Sequence, residues 1–507
     1  MTTKLNNLLL ATALCLIVSS GCTEDETTVT QPPGPPNTGS ADFTRYVAVG
    51  NSVTAGYQSY ALSQRDQPQS FTNLLAGQVQ TGFELPLIKD PGIGGRIRLL
   101  SLSPLTLVQE QSVAPIASSN LNIALARPYN NLGIAGAILY DIMDTTDASA
   151  NFVNKSAARG NPFFALVLRN SALGRSIFQQ ARNLAPTFIT CWIGNNDVLG
   201  YATSGGLSGS NAGLFAPPRT LPTEAVLFGV WYSQLLDSLQ SIPSVTGIVT
   251  ANIPNIPSLP FFTTLGPQIH AKLLPGIPLR YQRNGNKGPA SDTTTLAGSP
   301  ADPYILLTGY AYAPLLGRPG GKWYRDLAAS RGVPVDSVMA PLMALGIDTT
   351  KPFGFHPQNP WPDALTLDDG ERAIADNAIT SFNATIGGAA SARGIPVVDV
   401  AALFNQALAK QIYYPELGTF SSDFITGGTF SYDGIHPSSR GQAMIANEFI
   451  KIINSQFSAQ IPFVSVPAVP GMPIGKTSLQ ADRPVSYDRW KNFLEVMGGL
   501  PASGHSN

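Results

Sequence analysis

Four short runs of apolar, β-branched and aromatic residues divide the chain. They span residues 45–49 (RYVAV), 186–194 (PTFITCWIG), 245–252 (VTGIVTAN) and 395–400 (IPVVDV). Their apolar residues are nearly continuous rather than alternating with polar ones, which is typical of strands buried on both faces of a parallel sheet. The pattern therefore predicts four strands of one buried, mainly parallel sheet.

Longer stretches between these runs have the composition and period of helices. Residues 164–183 and 224–240 are predicted to be helical, and so are residues 368–390. The third of these helices begins with Asp368 and Glu371, which have the spacing of a capping box. Its predicted buried face consists of Ile374, Ala378, Phe382 and Ile386.

A last helix is predicted near the end of the folded region. Ser439 and Gln442 resemble a second capping start. Its apolar stripe is formed by Ile445, Phe449, Ile452 and Ile453. Strands that alternate with helices in this way predict a three-layer α/β/α sandwich with a mainly parallel central sheet, the α/β class.

The N-terminus has the pattern of an export signal. Lys4 precedes an apolar run over residues 8–18, which is too short to span a bilayer, and small residues follow. Cys22 directly after small residues resembles the cleavage box of bacterial lipoproteins, which implies that residues 1–21 are removed and Cys22 is lipidated. A plain secretory signal is the alternative, because Ser19 stands where that pattern prefers Leu.

The lipoprotein resemblance implies a location as well. A lipid-anchored chain would sit in the bacterial cell envelope, in the outer membrane, at its periplasmic face or on the cell surface. Residues 22–41 are polar and rich in Pro, so we expect a disordered tether. The folded domain is then expected over residues 42–456, followed by a C-terminal extension over 457–507.

Charge and cysteine content exclude several classes of function. With 31 Lys and Arg against 32 Asp and Glu, the net charge is −1, so no binding of nucleic acid is expected. Cys15 would be removed with the signal peptide, and Cys22 would be lipidated. Cys191 then has no partner for a disulfide and is predicted to be a buried, inert thiol. His and Cys show no metal-ligand spacing, and we expect no metal and no cofactor.

Polar and small residues that follow the strands are candidates for chemistry, because ligands bind at the carboxyl ends of parallel strands. Ser52, in GNSVTAG (50–56), opens a helix that can expose its hydroxyl; the alternative is a simple N-cap. Gly136, in NLGIAG (131–136), can present its backbone N–H, and Asn196, in GNND (194–197), can donate its amide to an oxyanion. The last two segments also fit ordinary turns.

His436 is the candidate base. It lies in DGIHP (433–437), three residues after Asp433, and a base needs an orienting acid beside its other ring nitrogen. Of the other three His residues, His505 is near the chain end, while His270 and His356 have no comparable acid motif. Elimination favours His436; the alternative is a solvated Asp433 beside a His at a helix start.

Together and in this order, the four segments resemble the motif blocks of the SGNH hydrolases, also called GDSL-like lipases and esterases. The resemblance covers residues 42–256 and 364–456. Asn51 departs from the pattern, because the family usually has Asp at this position. Asn has a similar shape and one carbonyl acceptor, so local hydrogen bonding can survive the change.

The resemblance implies a role for each motif residue. Ser52 would be the nucleophile, His436 the general base and then the acid, and Asp433 the residue that orients His436. The oxyanion hole would consist of the N–H groups of Ser52 and Gly136 and the amide of Asn196. The reaction would be hydrolysis of a carboxylic ester, in a lipid or an acylated glycan, through an acyl-enzyme on Ser52.

Two other functions remain open at this point. The same residues would serve an acyltransferase or deacetylase that acts on glycans of the cell envelope. A non-catalytic lipoprotein that uses the fold for binding or transport is the second alternative, and Asn51 keeps it open.

A long insertion interrupts the motif blocks at residues 254–363. It is rich in Pro, Gly and aromatic residues, and insertions of this length are usually functional or mobile. We expect an irregular segment that forms a lid over an apolar acyl pocket. The alternative is an excursion that packs away from the site.

Overall fold

The computed structural model describes residues 34–102, 105–144, 161–206, 222–290, 292–472 and 483–484. The chain forms two units, residues 1–36 and 37–507, and the second contains every element named below. The predicted signal peptide (1–21) and the predicted lipidation of Cys22 lie outside the described residues. In the part of the chain that is described, no helix has the length and hydropathy needed to cross a membrane.

The packed chain begins slightly before Asp42. Ser40 N donates a hydrogen bond of 2.8 Å to Phe457 O, and Gln460 N donates one of 2.7 Å to Asn37 O. Ala41 is buried. The last residues of the predicted tether are therefore part of the folded unit.

The strands in chain order are β1 (Tyr46–Gly50), β2 (Ile97–Leu102), β3 (Leu105–Gln109), β4 (Asn131–Gly133), β5 (Phe188–Trp192), β6 (Gly247–Ala251), β7 (Leu279–Tyr281), β8 (Asp292–Thr294), β9 (Tyr304–Ile305), β10 (Thr366–Leu367), β11 (Val397–Val398), β12 (Ile412–Tyr414), β13 (Gly418–Phe420) and β14 (Arg483–Pro484). Five of them form a central sheet of order β11–β6–β5–β1–β4, in which every pairing is parallel. The others form small antiparallel sheets. The protein is thus a mixed α/β fold with a parallel central sheet, as the apolar runs predict.

The predicted strands differ from the observed ones mainly at their ends. β1, β5 and β6 are buried along their whole length. β11 is shorter than the run at 395–400 predicts, because Asp399 caps a helix that begins at Val400. β4 is a fifth strand that the four apolar runs do not include.

The helices in chain order are α1 (Ser52–Ala55), α2 (Phe71–Gln78), α3 (Leu139–Met143), α4 (Phe163–Leu168), α5 (Ile177–Asn183), α6 (Asn196–Thr203), α7 (Ala225–Gln240), α8 (Pro260–Thr263), α9 (Leu265–His270), α10 (Lys322–Ser330), α11 (Val335–Ala344), α12 (Asp369–Ser391), α13 (Val400–Leu408) and α14 (Ser439–Gln456). The helices predicted at 224–240 and 368–390 are confirmed as α7 and α12. The single helix predicted at 164–183 is wrong, because Arg169 (φ 52°) and Gly174 (φ 124°) leave the right-handed helical region and separate α4 from α5.

The long helix α12 has the predicted capping box but a different buried face. Asp368 accepts from Glu371 N, and Glu371 accepts from Asp368 N. Ile374, predicted to be buried, is 50% exposed. The buried residues include Ala375, Ile379, Phe382 and Ile386, so the predicted stripe is wrong only in its first turns, where a spacing of four drifts from the helical period of 3.6.

Aromatic contacts attach these helices to each other and to the sheet. Phe382 of α12 stacks on Phe228 of α7 with ring centroids 4.0 Å apart. Phe449 of α14 stacks on Phe71 of α2 at 4.7 Å, and Phe71 meets Trp192 of β5 edge to face. The predicted stripe of α14 is confirmed at Ile445, Phe449 and Ile453, whereas its N-cap is Ser438 rather than Ser439.

Residues 254–363, the predicted insertion, contain regular elements that their composition does not predict. Residues 254–363 contain helices α8 to α11 and the antiparallel pair β7–β8. A separate hydrophobic core lies here, with Tyr312, Trp323 and Trp361 among its buried residues. Much of this stretch is irregular, as expected, but its aromatic residues between the prolines and glycines supply a core of their own.

Candidate active site

The segment that carries Ser52 is tightly fixed between β1 and α1. Asn51, not Ser52, is the N-cap, since its Oδ1 accepts from Val53 N at 3.2 Å. A Cβ at Gly50 would lie 2.2 Å from Thr54 Oγ1 and 2.5 Å from Trp192 O, so only Gly fits before this turn. Ser52 therefore begins the helix with a side chain that the cap does not use, and the alternative of a simple N-cap is wrong.

Ser52, His436 and Asp433 form a continuous chain of hydrogen bonds. Ser52 Oγ lies 3.0 Å from His436 Nε2, and His436 Nδ1 lies 3.0 Å from Asp433 Oδ2. The three residues are 2%, 1% and 0% exposed. A hydroxyl, an imidazole and a carboxylate in this order can transfer a proton from the hydroxyl to the ring.

The Asp433 carboxylate is held in place from several sides. Its Oδ1 accepts from Ile435 N at 2.9 Å and from His436 N at 2.8 Å, and its Oδ2 accepts from Tyr60 N at 3.0 Å. Burial alone would raise the pKa of Asp433, but the charge and hydrogen bonds of His436 and the bond from Ile435 N outweigh it and lower the pKa. The ionised form is thus favoured beside the imidazole.

A loop that follows α1 supports the His436 turn. Ser59 N donates to Ser431 Oγ at 2.8 Å, and Tyr432 N donates to Ser59 Oγ at 3.3 Å. The ring of Tyr57 lies 4.8 Å from the imidazole of His436. The sequence did not identify this support, because the loop residues have no motif from which their contact with the turn of His436 could be predicted.

The candidate oxyanion donors lie near each other. Asn196, the first residue of α6, donates its Nδ2 to Ala137 O at 2.9 Å, which ties it to the residue directly after Gly136. Gly136 has a φ of 79°, a left-handed conformation that suits Gly, and follows β4, the neighbour of β1 in the sheet. Both therefore stand close to the carboxyl edge of the strand that leads to Ser52.

Asn51 keeps the hydrogen bonding expected of it. Besides accepting from Val53 N, it donates its Nδ2 to Asn195 Oδ1 at 3.2 Å. This bond joins the turn after β1 to the turn after β5. Asn51 thus connects two turns of the candidate site.

Asp197 is a buried residue of the site to which sequence reasoning assigned no role. Its Oδ2 accepts from Leu139 N at 2.8 Å and its Oδ1 from Thr223 Oγ1 at 2.7 Å. It thereby ties the start of α6 to the start of α3. Burial, with a contribution from the nearby Asp141, raises the pKa of Asp197 to about 7. In the sequence, the position of Asp197 directly after Asn196 was the only indication of a role in the site.

Asp197 gives the protein a measurable pH dependence. Its carboxyl ionises near pH 4 in the unfolded chain but near pH 7 in the fold. Between these values the folded state holds more protons, so this group lowers the free energy of unfolding as pH rises, by at most ~1.4 kcal/mol per pH unit. Urea unfolding measured from pH 4.5 to 7.5 is expected to show that the free energy of unfolding falls less with pH in Asp197→Asn than in wild type. Equal slopes in wild type, Asp197→Asn and the exposed control Asp336→Asn would contradict this prediction.

A small cavity of about 30 Å³ lies beside Ser52 and His436, with room for about two water molecules. Asn196 also lines it. Its apolar walls include Trp192, Val198, Leu199, Ile253, Leu259 and Phe404. The sequence did not identify these wall residues. An apolar residue in a strand or helix gives the same sequence pattern whether its side chain lines a cavity or packs in the core.

One group of acidic side chains in the described ranges is close enough to share a cation. Carboxylate oxygens of Asp363, Asp368 and Glu371 lie within 4.8 Å of one another. Burial raises the pKa of Asp363 to about 6 and that of Glu371 to about 8, and Arg283 Nε lies 3.6 Å from Asp368 Oδ2. A protonated Glu371 and the nearby guanidinium of Arg283 thus reduce the repulsion between these buried acids at neutral pH.

The structure brings together the residues that the sequence singled out. Ser52, His436 and Asp433 are joined by hydrogen bonds, Asn196 shares the cavity of Ser52, and Gly136 is linked to Asn196 through Ala137. Cys191 is fully buried, and burial raises the pKa of its thiol to about 12, as expected for an inert thiol. The models of protein families, the curated proteins and the solved structures compared with this chain contain no match to it.

Proposed function

We propose that this chain is a serine esterase of the SGNH type that hydrolyses carboxylic esters. The observation that carries the proposal is the buried chain of hydrogen bonds from Ser52 Oγ through His436 to Asp433, with both steps at 3.0 Å. A hydroxyl beside an imidazole that is oriented by a carboxylate is the arrangement that activates a serine nucleophile.

The reaction would proceed in two steps. Ser52 Oγ attacks the ester carbonyl while His436 takes its proton, and the N–H groups of Ser52 and Gly136 and the amide of Asn196 stabilise the oxyanion. His436 then returns the proton to the leaving alcohol, which leaves an acyl group on Ser52. Water, deprotonated by His436, attacks this acyl-enzyme and frees the acid and the serine.

We extend the proposal to a three-layer α/β/α sandwich. Thr250 of β6 pairs with Cys191 of β5, so their side chains share one face of the sheet, and Thr250 contacts Tyr232 of α7. Trp192, the next residue of β5, points to the opposite face, where it contacts Phe71 of α2. The pairs α7–α12 and α2–α14 would therefore form the two outer layers.

The insertion at residues 254–363 would act as a lid over the cavity. Pro254 and Leu259 line the cavity beside Ser52. Phe261 N donates to Gly434 O at 2.9 Å, within the turn that carries His436. A segment attached at this point covers the nucleophile and limits the size of the acyl group.

The activity is tested directly with purified protein and a panel of esters. Hydrolysis of nitrophenyl acetate is expected, together with labelling of the protein by a fluorophosphonate. Release of acetate from acetylated sugars would favour the deacetylase reading of the same site. No hydrolysis of any ester and no labelling would contradict the esterase proposal and favour a binding lipoprotein.

The size of the cavity favours short acyl chains. Phe404, 3% exposed, forms part of the wall, and Phe404→Ala is expected to raise the ratio of kcat/KM for nitrophenyl octanoate over acetate by about tenfold or more. The exposed Phe463→Ala is the matched control and is expected to leave the ratio unchanged. A wild-type enzyme that prefers octanoate, with no shift in Phe404→Ala, would be inconsistent with this prediction.

The proposal also includes the location. After removal of a signal peptide over residues 1–21, a lipidated Cys22 would anchor the esterase in the outer membrane of the bacterial envelope. The tether from Cys22 onward would hold the catalytic domain near membrane lipids and acylated glycans, which are the two classes of ester expected at the outer membrane.

A further inference from the structure

Tyr57, the second residue after α1, contacts each part of the proposed catalytic chain. Its backbone N donates to Ser52 O at 3.0 Å. Its ring lies 4.8 Å from the imidazole of His436. Its hydroxyl donates a hydrogen bond of 2.7 Å to Tyr60 O, and Tyr60 N in turn donates to Asp433 Oδ2 at 3.0 Å. One buried residue is therefore joined to the nucleophile, the base and the acid.

The backbone at residues 59 and 60 has a conformation that needs support from its surroundings. Ser59 has a φ of 48° and Tyr60 a φ of 71°, so two consecutive residues with side chains lie in the left-handed region. This region is unfavourable for residues other than Gly, above all for bulky ones, and such conformations persist only where neighbouring contacts fix them. In this conformation Tyr60 N faces Asp433. The donor to the carboxylate therefore depends on the contacts that fix this turn.

The Tyr57 hydroxyl is one of these contacts. It bonds the carbonyl of Tyr60, the same residue whose N–H reaches Asp433. Burial, with contributions from the nearby Tyr60 and Asp433, raises the pKa of Tyr57, so its hydroxyl stays protonated and can donate at neutral pH. Hydrogen bonds of Ser59 hold the loop from its other side. Loss of the Tyr57 bond would thus loosen Tyr60 without releasing the whole loop.

We propose that Tyr57 is a positioning residue whose hydroxyl keeps Tyr60 N on the Asp433 carboxylate. The inference rests on the proposed function, in which this carboxylate orients the base His436. The two bonds to Asp433 Oδ1 come from backbone N–H groups of its own turn. The bond from Tyr60 N comes from the loop that follows Ser52, so it joins the carboxylate to the segment of the nucleophile.

The variant Tyr57→Phe removes only the hydroxyl and keeps the ring beside His436. The buried Tyr60 O then loses a hydrogen bond, and the left-handed backbone is free to relax. We expect kcat for nitrophenyl acetate to fall by about tenfold, because His436 is held less firmly against Ser52. KM is expected to change by less than about twofold, because residues other than Tyr57 line the cavity.

The pH profile gives a readout that a purely structural role would not change. Without Tyr60 N, the Asp433 carboxylate has one donor fewer, and its negative charge acts more strongly on the imidazole of His436. The acid limb of kcat/KM reports the essential base of the free enzyme, and in Tyr57→Phe it is expected to move to higher pH by about 0.5 unit.

An NMR titration of His436 tests the inference without catalysis. Its imidazole C–H signal, assigned by its absence from His436→Gln, is expected to show the same upward shift of the titration midpoint in Tyr57→Phe. A wild type that hydrolyses no ester would contradict the esterase proposal alone, and the NMR titration would still decide the role of Tyr57.

Tyr232→Phe is the matched control. Tyr232 lies in α7 and is also fully buried, and its hydroxyl bonds Thr250 Oγ1 at 2.6 Å. This variant is expected to keep kcat within about twofold of wild type and to leave both titrations unchanged. Thermal unfolding of both variants checks that each is folded.

The outcome that would overturn the proposal is a Tyr57→Phe protein whose acid limb and imidazole titration stay at their wild-type positions. This holds even if kcat falls, because a general loss of structure would explain such a fall. A kcat within twofold of wild type would overturn it as well. Equal changes in Tyr232→Phe would do the same, since they would follow from the loss of any buried hydroxyl.

Discussion

Replacing Ser52 with Ala is expected to lower kcat for hydrolysis of nitrophenyl acetate by at least about 10³-fold. The substitution removes the hydroxyl that lies 3.0 Å from His436 Nε2, and with it the acyl-enzyme route. The hydroxyls of the nearby Ser59 and Ser431 accept hydrogen bonds from backbone N–H groups and join the loop after α1 to the turn of His436. Initial rates at saturating ester, measured on wild type and variant side by side, give the ratio directly.

Two controls separate lost chemistry from lost structure. Ser241→Ala, at an exposed position after α7, is expected to keep wild-type activity and fluorophosphonate labelling. Ser52→Ala is expected to unfold at nearly the same temperature as wild type, because the Ser52 side chain takes no part in the cap of α1. Activity in Ser52→Ala within tenfold of wild type would eliminate Ser52 as the nucleophile.

The sequence predicted more of the candidate site than of the fold around it. Ser52 and His436 are separated by 384 positions. Ser52 lies at the carboxyl end of the parallel strand β1, whereas His436 lies in the turn before α14 and follows no strand of the central sheet closely. The Asp433–His436 pair is local, since three residues in one turn hold both groups. The four local motifs, through their resemblance to the motif blocks of the SGNH hydrolases, therefore predicted which side chains would meet.

The remaining features depend on contacts that sequence patterns do not encode. Tyr60 N reaches Asp433 across 373 positions through a loop with no motif. The break between α4 and α5 arises from the backbone of Arg169, a residue type that commonly continues helices. In residues 254–363, Trp323 and Trp361 contributed to the sequence analysis only as part of an aromatic-rich composition. Their packing into a separate core is seen only in the three-dimensional structure.

The Asp433 carboxylate accepts four hydrogen bonds, and its replacement by Asn tests whether it orients the base. Its Oδ2 faces two donors, His436 Nδ1 and Tyr60 N. An Asn amide can keep the bonds of Oδ1 to the backbone, but its NH₂ group then points at those two donors. To relieve this clash, His436 must carry its proton on Nε2, where it can no longer accept the proton of Ser52.

Asp433→Asn is therefore expected to lower kcat by about 10³- to 10⁴-fold, and to lower the free energy of unfolding by about 1–3 kcal/mol because Tyr60 N loses its acceptor. Since the pKa of Asp433 is lowered in the fold, the carboxylate stabilises wild type above about pH 4 and loses this effect as pH falls below its folded pKa. The variant is expected to lack this part of the acid sensitivity in urea unfolding.

Asp423→Asn is the matched control for Asp433, because its exposed carboxylate also bonds a neighbouring side chain, that of Ser421. It is expected to change kcat by less than about twofold. An Asp433→Asn enzyme that loses stability as expected but keeps kcat within tenfold of wild type would make Asp433 a structural residue. The orientation of His436 would then have to come from its own turn and from the Tyr57 ring 4.8 Å away.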